Sequence, residues 1–285
     1  MIRLMIDSAS DINKYEAEEL GVILEPINIT IGSEEYKDGV DLLPEEFYDK
    51  LFSSPVLPKT SQIPPYVFEE EFEKYTANGD ELIVITLSSK LSGTYNNAVM
   101  ASQKFAGKVT VIDSLNACVG ERLLGLYVLS LIKDGEDVKT IVEKAETAKL
   151  RINVIAVLDT LEYLKKGGRI SSTAAAIGSM LSIKPVIAVI DGEIKVVGKA
   201  MGAKKGNSIL TKFVSEKGLD FTMPYATVWS GKESSKLDAY IKDYAFLWEG
   251  HSDNIPKYIL GATIGTHIGG GVVGVAFFEK VDFDR

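Results

Sequence analysis

Cysteine occurs once, at Cys118, and histidine twice, at His251 and His267. A single cysteine excludes any disulfide within the chain and any thiolate metal cluster, and it fits an intracellular setting. With so few histidines a zinc site would have to lean on carboxylates, which stand at no recognisable metal spacing, so no metal is expected. Positive charge is also short: 31 Lys and Arg face 40 Asp and Glu, a net charge of -9. Proteins that hold nucleic acid need a basic patch to neutralise phosphates, so nucleic acid is not expected as a partner. No apolar run reaches the length of a membrane span, and the opening Met1-Ile-Arg-Leu-Met-Ile-Asp7 is too short and too soon acidic for a secretory leader. These absences predict a soluble, cytoplasmic protein.

Several catalytic signatures are missing too. The chain has no Gly-x-x-x-x-Gly-Lys-Ser/Thr phosphate loop and no Gly-x-Ser-x-Gly nucleophile elbow. Gly269-Gly-Gly-Val-Val-Gly274 matches the dinucleotide fingerprint in letters, but it precedes a strand and leaves no room for a βαβ unit.

What is present is an ordinary globular composition, 46% hydrophobic and 25% charged over 285 residues, long enough for two domains. The stretch from Glu81 to Ser102 organises the first of them. Leu82 to Thr86 is a β-branched run without polar alternation, as in a strand buried on both faces of a parallel sheet. The loop Leu87 to Gly93 then enters a helix from Thr94, with apolar positions at Ala98, Ala101 and Phe105. The first amides of a helix lack internal partners and carry partial positive charge, so this loop can seat a phosphate or carboxylate. Ser92 can equally be a plain N-cap.

Ile2 to Ile6, ending in Asp7-Ser-Ala-Ser-Asp11, and Lys108 to Ile112, ending in Asp113-Ser114, repeat the pattern, with helices predicted over 12–20, 120–132 and 138–150. Strands alternating with helices imply a mostly parallel sheet, with ligands at the carboxyl ends of the strands. Between these units, 22–31 reads as extended, Gly32-Ser33 as a hairpin turn into 34–37, and 43–52 and 66–75 as helices around a proline-rich loop. Past Arg151 the pattern changes. A strand over 153–158, a short helix stopped by Gly167-Gly168, an alanine-rich helix over 172–180 and an Asp191-Gly192 hairpin suggest an α+β domain with a mixed or antiparallel sheet. A basic helix over 204–217, a strand over 225–230 and a helix over 234–244 follow. Strands over 258–265 and 272–280 are expected at the end, joined through a glycine-rich loop bearing His267. The domains are expected at 1–151 and 152–285.

Serine catalysis would pair Ser92 with His267 as its base, giving an acyl hydrolase; His267 could instead bond a ligand carboxylate or merely serve the loop. A binder of some other small anion is a third reading. Lys165-Lys-Gly-Gly-Arg169 is a cationic island at a helix end, which dipole capping alone can explain.

Taken together, Asp7 to Asp11, Lys59-Thr-Ser-Gln62, Leu87-Ser-Ser-Lys-Leu-Ser-Gly-Thr94, Val111 to Ser114, Leu161 to Ile170, Ile183-Lys-Pro185 and Gly265-Thr-His-Ile-Gly269 resemble the motif series of the DegV family of bacterial lipid-binding proteins. The resemblance runs over nearly the whole chain. It implies two α/β domains with a long-chain fatty acid between them, no other cofactor, and no catalysis by the chain itself. The partner it implies is a separate ATP-binding fatty acid kinase subunit that phosphorylates the bound carboxylate for phospholipid synthesis, with transient membrane contact. Carried over by residue, Ser92 and the Gly93 amide would hold the carboxylate, Thr60 or Ser61 would be second donors, His267 would complete the network, and Arg169 would stand at the kinase-facing rim. Three positions depart from the family pattern. Ile63-Pro64 and Gly270 would change loop stiffness, and Arg122, where a glycine is usual, is expected to narrow or reroute the acyl channel.

Overall fold

The structure, a computed structural model, describes residues 1–170 and 183–281. The first half runs β1 (Ile2–Asp7), α1 (Lys14–Leu20), β2 (Ile23–Glu25), β3 (Asn28–Ile31), β4 (Glu34–Lys37), α2 (Pro44–Ser53), β5 (Lys59–Ser61) and α3 (Pro65–Thr76). It continues with β6 (Glu81–Thr86), α4 (Thr94–Ser102), β7 (Val109–Asp113), α5 (Val119–Lys133) and α6 (Val138–Ala148). The second half contains β8 (Ile152–Val157), α7 (Glu162–Lys166), β9 (Ile183–Ile190), β10 (Glu193–Met201), α8 (Ala203–Lys217) and β11 (Tyr225–Trp229). It closes with α9 (Ser235–Asp243), β12 (Lys257–Ile259), α10 (Ala262–Ile268) and β13 (Val273–Phe278). The alanine-rich helix expected over 172–180 lies outside the described residues.

The strands form three sheets. β2-β1-β6-β7 is parallel throughout, β4-β3-β5 is antiparallel, and β10-β9-β8-β13-β11-β12 is mixed, its one parallel pair being β11 with β12. Two α/β layers are therefore present, as expected. The stretch over 22–31 is not continuous: β2 joins the parallel sheet and β3 the small one, with Pro26, which has no N–H to give a ladder, at the break. The loop over 59–61, expected to be irregular, is an edge strand on β3.

Continuous apolar runs in β1, β6 and β7 are explained by burial on both faces. Ile6, Ile83, Ile85 and Ile112 pack under Leu123, Leu124 and Val128 of α5, while Met5, Leu82 and Val84 meet Phe68 and Phe72 of α3 and Ala98 and Ala101 of α4. The core around α5 also contains Val154, Ala156, Val228 and Phe278 of the second sheet, so this helix lies between the two sheets and belongs to both. The far face of the six-stranded sheet is covered by Leu210 and Val214 of α8 and by Leu237 and Tyr240 of α9. Each such large apolar side chain contributes roughly 1.5–3 kcal/mol on burial.

Arg122 does not enter an acyl channel, contrary to the expectation from the sequence. Its guanidinium is buried, bonded from Nη1 to Glu16 Oε1 at 3.0 Å, from Nη2 to Glu16 Oε2 at 2.9 Å and from Nη2 to the Asp11 carbonyl at 2.5 Å. It also lies 4.0 Å from the centre of the Tyr258 ring in β12. Glu16 is held for this pairing by a capping box, since Asn13 Oδ1 accepts the Glu16 amide and Glu16 Oε2 accepts the Asn13 amide. Arg122 thus ties α1, the 8–11 turn and the second sheet together. Arg122→Met is expected to lower the free energy of unfolding by roughly 2–3 kcal/mol, the range for hydrogen bonds to charged groups. Urea denaturation checks it, and a loss below about 0.5 kcal/mol, as at an ordinary surface position, would contradict this role.

Candidate functional site

The site is built on the rim where β1, β6 and β7 end. Asp7 Oδ1 accepts the Ala9 amide at 2.9 Å and Oδ2 the Leu87 amide at 2.8 Å, so one buried carboxyl joins two loops; burial pushes its pKa up to about 7. Asp113 Oδ1 accepts the amides of Ser89 and Leu115 at 3.2 and 3.0 Å. The acids at both strand ends are therefore brackets that shape the 87–93 loop. Ser88 Oγ donates to the Gly192 carbonyl at 2.8 Å and docks the tip of the β9–β10 hairpin on the same loop.

Ser92 Oγ accepts the Thr94 amide at 3.3 Å and lies 3.0 Å from Thr94 Oγ1, a local hydroxyl turn that starts α4. Thr94 Oγ1 accepts the Ile63 amide at 3.3 Å and Asn97 Nδ2 donates to the Ile63 carbonyl at 2.8 Å, so the first turns of α4 hold the strand carrying Thr60 and Ser61. Gly93 stands at the N-cap position of α4.

His267 is not in a loop. The segment read as a strand over 258–265 is a three-residue strand followed by α10, and His267 lies in the last turn of that helix. α10 comes from the second half of the chain and packs into the first. Asp38 accepts the amides of Ala262 and Thr263 at 3.0 and 3.1 Å, Asp11 Oδ1 accepts that of Gly261 at 2.7 Å, and the Tyr48 hydroxyl donates to the Leu260 carbonyl at 3.0 Å. Gly265 makes this approach possible, since a Cβ there would fall 2.4 Å from Phe47 Cε1. Gly167 does the same for the imidazole: its Cβ would fall 2.3 Å from His267 Nδ1.

The ring meets Thr60 Oγ1 through Nε2 at 2.9 Å, and its Nδ1 is buried with no partner among the described residues. Burial, and secondarily the charge of Arg169, lower the His267 pKa to about 4, so the imidazole is neutral at pH 7. His267 bonds to Thr60, and Ser92 to Thr94; the base-to-nucleophile contact of a serine hydrolase is not among the described hydrogen bonds. Arg169 is half-buried and spans the two halves, donating from Nε to the Leu91 carbonyl at 3.1 Å and from Nη1 to the Gly167 carbonyl at 2.6 Å.

Thr60, Ser61, Ser92, Gly93, Arg169 and His267 all line one cavity of about 340 Å³, within the size range of ligand pockets. Its walls are apolar. Val154 and Ala156 line it at alternate positions along β8, with Leu158 just past its end, beside Ile187 and Val189 of β9, while Leu87, Ala117 and Cys118 close it from the first half. From Val154 to Leu158 the wall extends about 13 Å at roughly 3.3 Å per strand residue. Burial pushes the Cys118 thiol up, leaving it a neutral part of the lining. These wall residues have no polar signal in the sequence, and 154–158 is apolar throughout, so no local cue marks the positions that face the cavity. A second cleft of about 370 Å³ opens from outside on the same Thr60, Arg169 and His267 and is lined by Lys59, Lys166 and Tyr163. Such a combination suits an amphiphile with a long apolar tail and a small acidic head. Among the described residues no group of His, Cys, Asp and Glu could hold a metal ion, and no helix is long and apolar enough to cross a membrane.

Comparison with known proteins agrees with this architecture. Residues 1–280 match the family model described as "Uncharacterised protein, DegV family". A DegV domain-containing protein of Caldanaerobacter subterraneus is 35% identical over 286 residues, covering 98% of this chain and 99% of the relative. A DegV family protein from Thermus thermophilus, whose solved structure is described for fatty acid binding, superposes with a TM-score of 0.87 at 28% identity over 98% of this chain and 99% of that one. DegV of Bacillus subtilis, described as a fatty acid binding protein, gives a TM-score of 0.82 at 28% identity, again over 98% and 99%. With the match running through both halves and every motif of the rim, the chain belongs to the DegV family.

Proposed function

We propose that this protein binds a long-chain fatty acid in the cavity between its two domains, 1–151 and 152–285, and presents the carboxylate to a separate ATP-dependent kinase subunit. The observation that carries the reading is the lining of the cavity: an apolar wall from the six-stranded sheet, faced by Leu87, Ala117 and Cys118 of the first half, leads to a head end made of Thr60, Ser61, Ser92, Gly93 and His267. The relatives described as fatty acid binding proteins support it. Burying a methylene gives about 0.8 kcal/mol, so roughly fourteen contribute on the order of 11 kcal/mol before ordering costs. Affinity therefore comes from the tail. An unpaired buried carboxylate would cancel several kcal/mol of that gain, so the hydroxyls, the helix-start amide and the imidazole chiefly prevent loss and fix orientation.

The kinase step is supported by the second cleft. It reaches Thr60, Arg169 and His267 from the outside, and Lys59 and Arg169 give it positive charge suited to phosphate oxygens, while Lys166 on its rim is paired with Glu162. The chain has no phosphate loop of its own, which fits a carrier whose chemistry is done by a partner.

Native mass spectrometry of protein purified from bacteria is expected to show the added mass of one fatty acid; apo protein that also fails to take up palmitate or oleate would sink the reading. Ser92→Ala and His267→Ala are each expected to lower kinase-dependent acyl phosphate formation about tenfold, or about 1.4 kcal/mol. Arg169→Ala should cost lipid affinity only roughly threefold, the scale of one neutral hydrogen bond, while reducing the partner reaction far more; normal kinase coupling in that variant would remove Arg169 from the docking face.

The titration of His267 gives a further check. The folded ring titrates near 4 against 6.5 for an ordinary histidine, so the unfolded chain takes a proton that the folded one refuses. The resulting stability is complete above pH 6.5 and is lost as pH falls toward 4. His267→Gln should therefore lose less stability than the wild type over that window in parallel urea titrations. Equal losses would show that the ring is not held neutral.

A further inference from the structure

Helix α10 has little reason to form by itself. Its seven residues carry glycine at 265 and β-branched side chains at 263, 264, 266 and 268, and isolated helices below about 12–15 residues are marginal even with good helix formers. What meets its first turn is a carboxylate from far away in the chain. Asp38, 2% exposed, places Oδ1 on the Ala262 amide and Oδ2 on the Thr263 amide, 224 and 225 residues apart in sequence. Two oxygens on two successive amides fix where the helix begins and how it is turned about its axis. Negative charge at this end also suits the helix dipole. His267 follows five residues after Ala262, about 7.5 Å along the axis, and there its Nε2 meets Thr60 Oγ1 at 2.9 Å.

We propose that Asp38 is the positioning residue of the head-group site: through the amides of Ala262 and Thr263 it sets α10 against the first half so that the His267 ring faces Thr60. Asp38 touches no ligand in this arrangement, since it does not line the cavity. Its effect on lipid affinity rests on the fatty acid reading above; its effect on the ring does not. Asparagine in its place would keep one oxygen acceptor and turn an NH2 group toward the other amide, whereas glutamate would keep the charge on a longer stem.

The test uses the full chain with Asp38→Asn and Asp38→Glu. In ligand-free protein, followed by NMR of the imidazole, the His267 titration of Asp38→Asn is expected to move up from about 4 toward 6.5 as the ring loosens into solvent. Its palmitate dissociation constant should rise about tenfold, with cooperative unfolding retained. Asp38→Glu should fall between wild type and Asp38→Asn in both measurements, and it decides the matter if Asp38→Asn does not fold. An unchanged ring titration with unchanged affinity in a folded variant overturns the proposal. If wild-type protein binds no fatty acid, the functional reading fails, and the ring titration still decides the role of Asp38.

Discussion

The two halves of this protein are held together by a short helix that begins in one and is capped by the other. Gly261, Ala262 and Thr263 give their amides to Asp11 and Asp38, and Tyr48 takes up the Leu260 carbonyl. Other contacts cross the same seam: Arg122 over Tyr258, Ser88 on Gly192, Arg169 on Leu91 and Thr60 on His267. Inside this polar frame the seam is apolar, lined by Val154, Ala156, Ile187 and Val189 from one side and Leu87, Ala117 and Cys118 from the other. One wall of the cavity comes from the six-stranded sheet, and the loops that follow β6 and β7 close the other side with Leu87, Ala117 and Cys118, so both halves are needed to enclose it.

Desolvation then sets the charge of the site. It lowers the His267 pKa to about 4 and pushes Asp7 to about 7, Cys118 upward and Glu121 well upward. The Glu121 carboxyl, whose oxygens have no partner among the described residues, is held well above the usual carboxylate range by burial. Arg169 is the charged group among the described lining residues, and two carbonyls already occupy its Nε and Nη1. For the fatty acid reading proposed above, a head seat of neutral donors would take a carboxylate without first breaking an internal ion pair, so little affinity gained along the tail would be given back at the head.

Much of this was legible in the sequence where local chemistry decides. The apolar runs of β1, β6 and β7 announced a parallel sheet, and Asp191-Gly192 announced its hairpin, both residues having positive φ in the structure. Thr60, Ser61, Ser92, Gly93 and His267 were named through the resemblance of their motifs to the family, and the structure brings them to one cavity. What stayed hidden depends on distant partners. The segment 258–265 reads as a strand until Asp38 is placed on the amides of Ala262 and Thr263, and Arg122 reads as an intrusion into a channel until Glu16, 106 residues away, is found beside it. The walls of the cavity were hidden for a different reason: Val154, Ala156 and Ile187 have the composition of any core, and nothing local separates a valine facing a void from one facing another valine.

On the serine hydrolase reading, the His267 ring would have to act as the base. A general base works best with a pKa near the working pH, and a ring that titrates near 4 is a poor one. Ser92, the candidate nucleophile, turns its hydroxyl to Thr94 and starts α4, while the ring meets Thr60 through Nε2. Chemistry at a bound carboxylate would have to enter from outside, and the cleft between Lys59 and Lys166 is the path that ends on the same three residues, Thr60, Arg169 and His267. On the fatty acid reading proposed above, the apolar slot would take the tail, and the cleft would leave the head within reach of a partner.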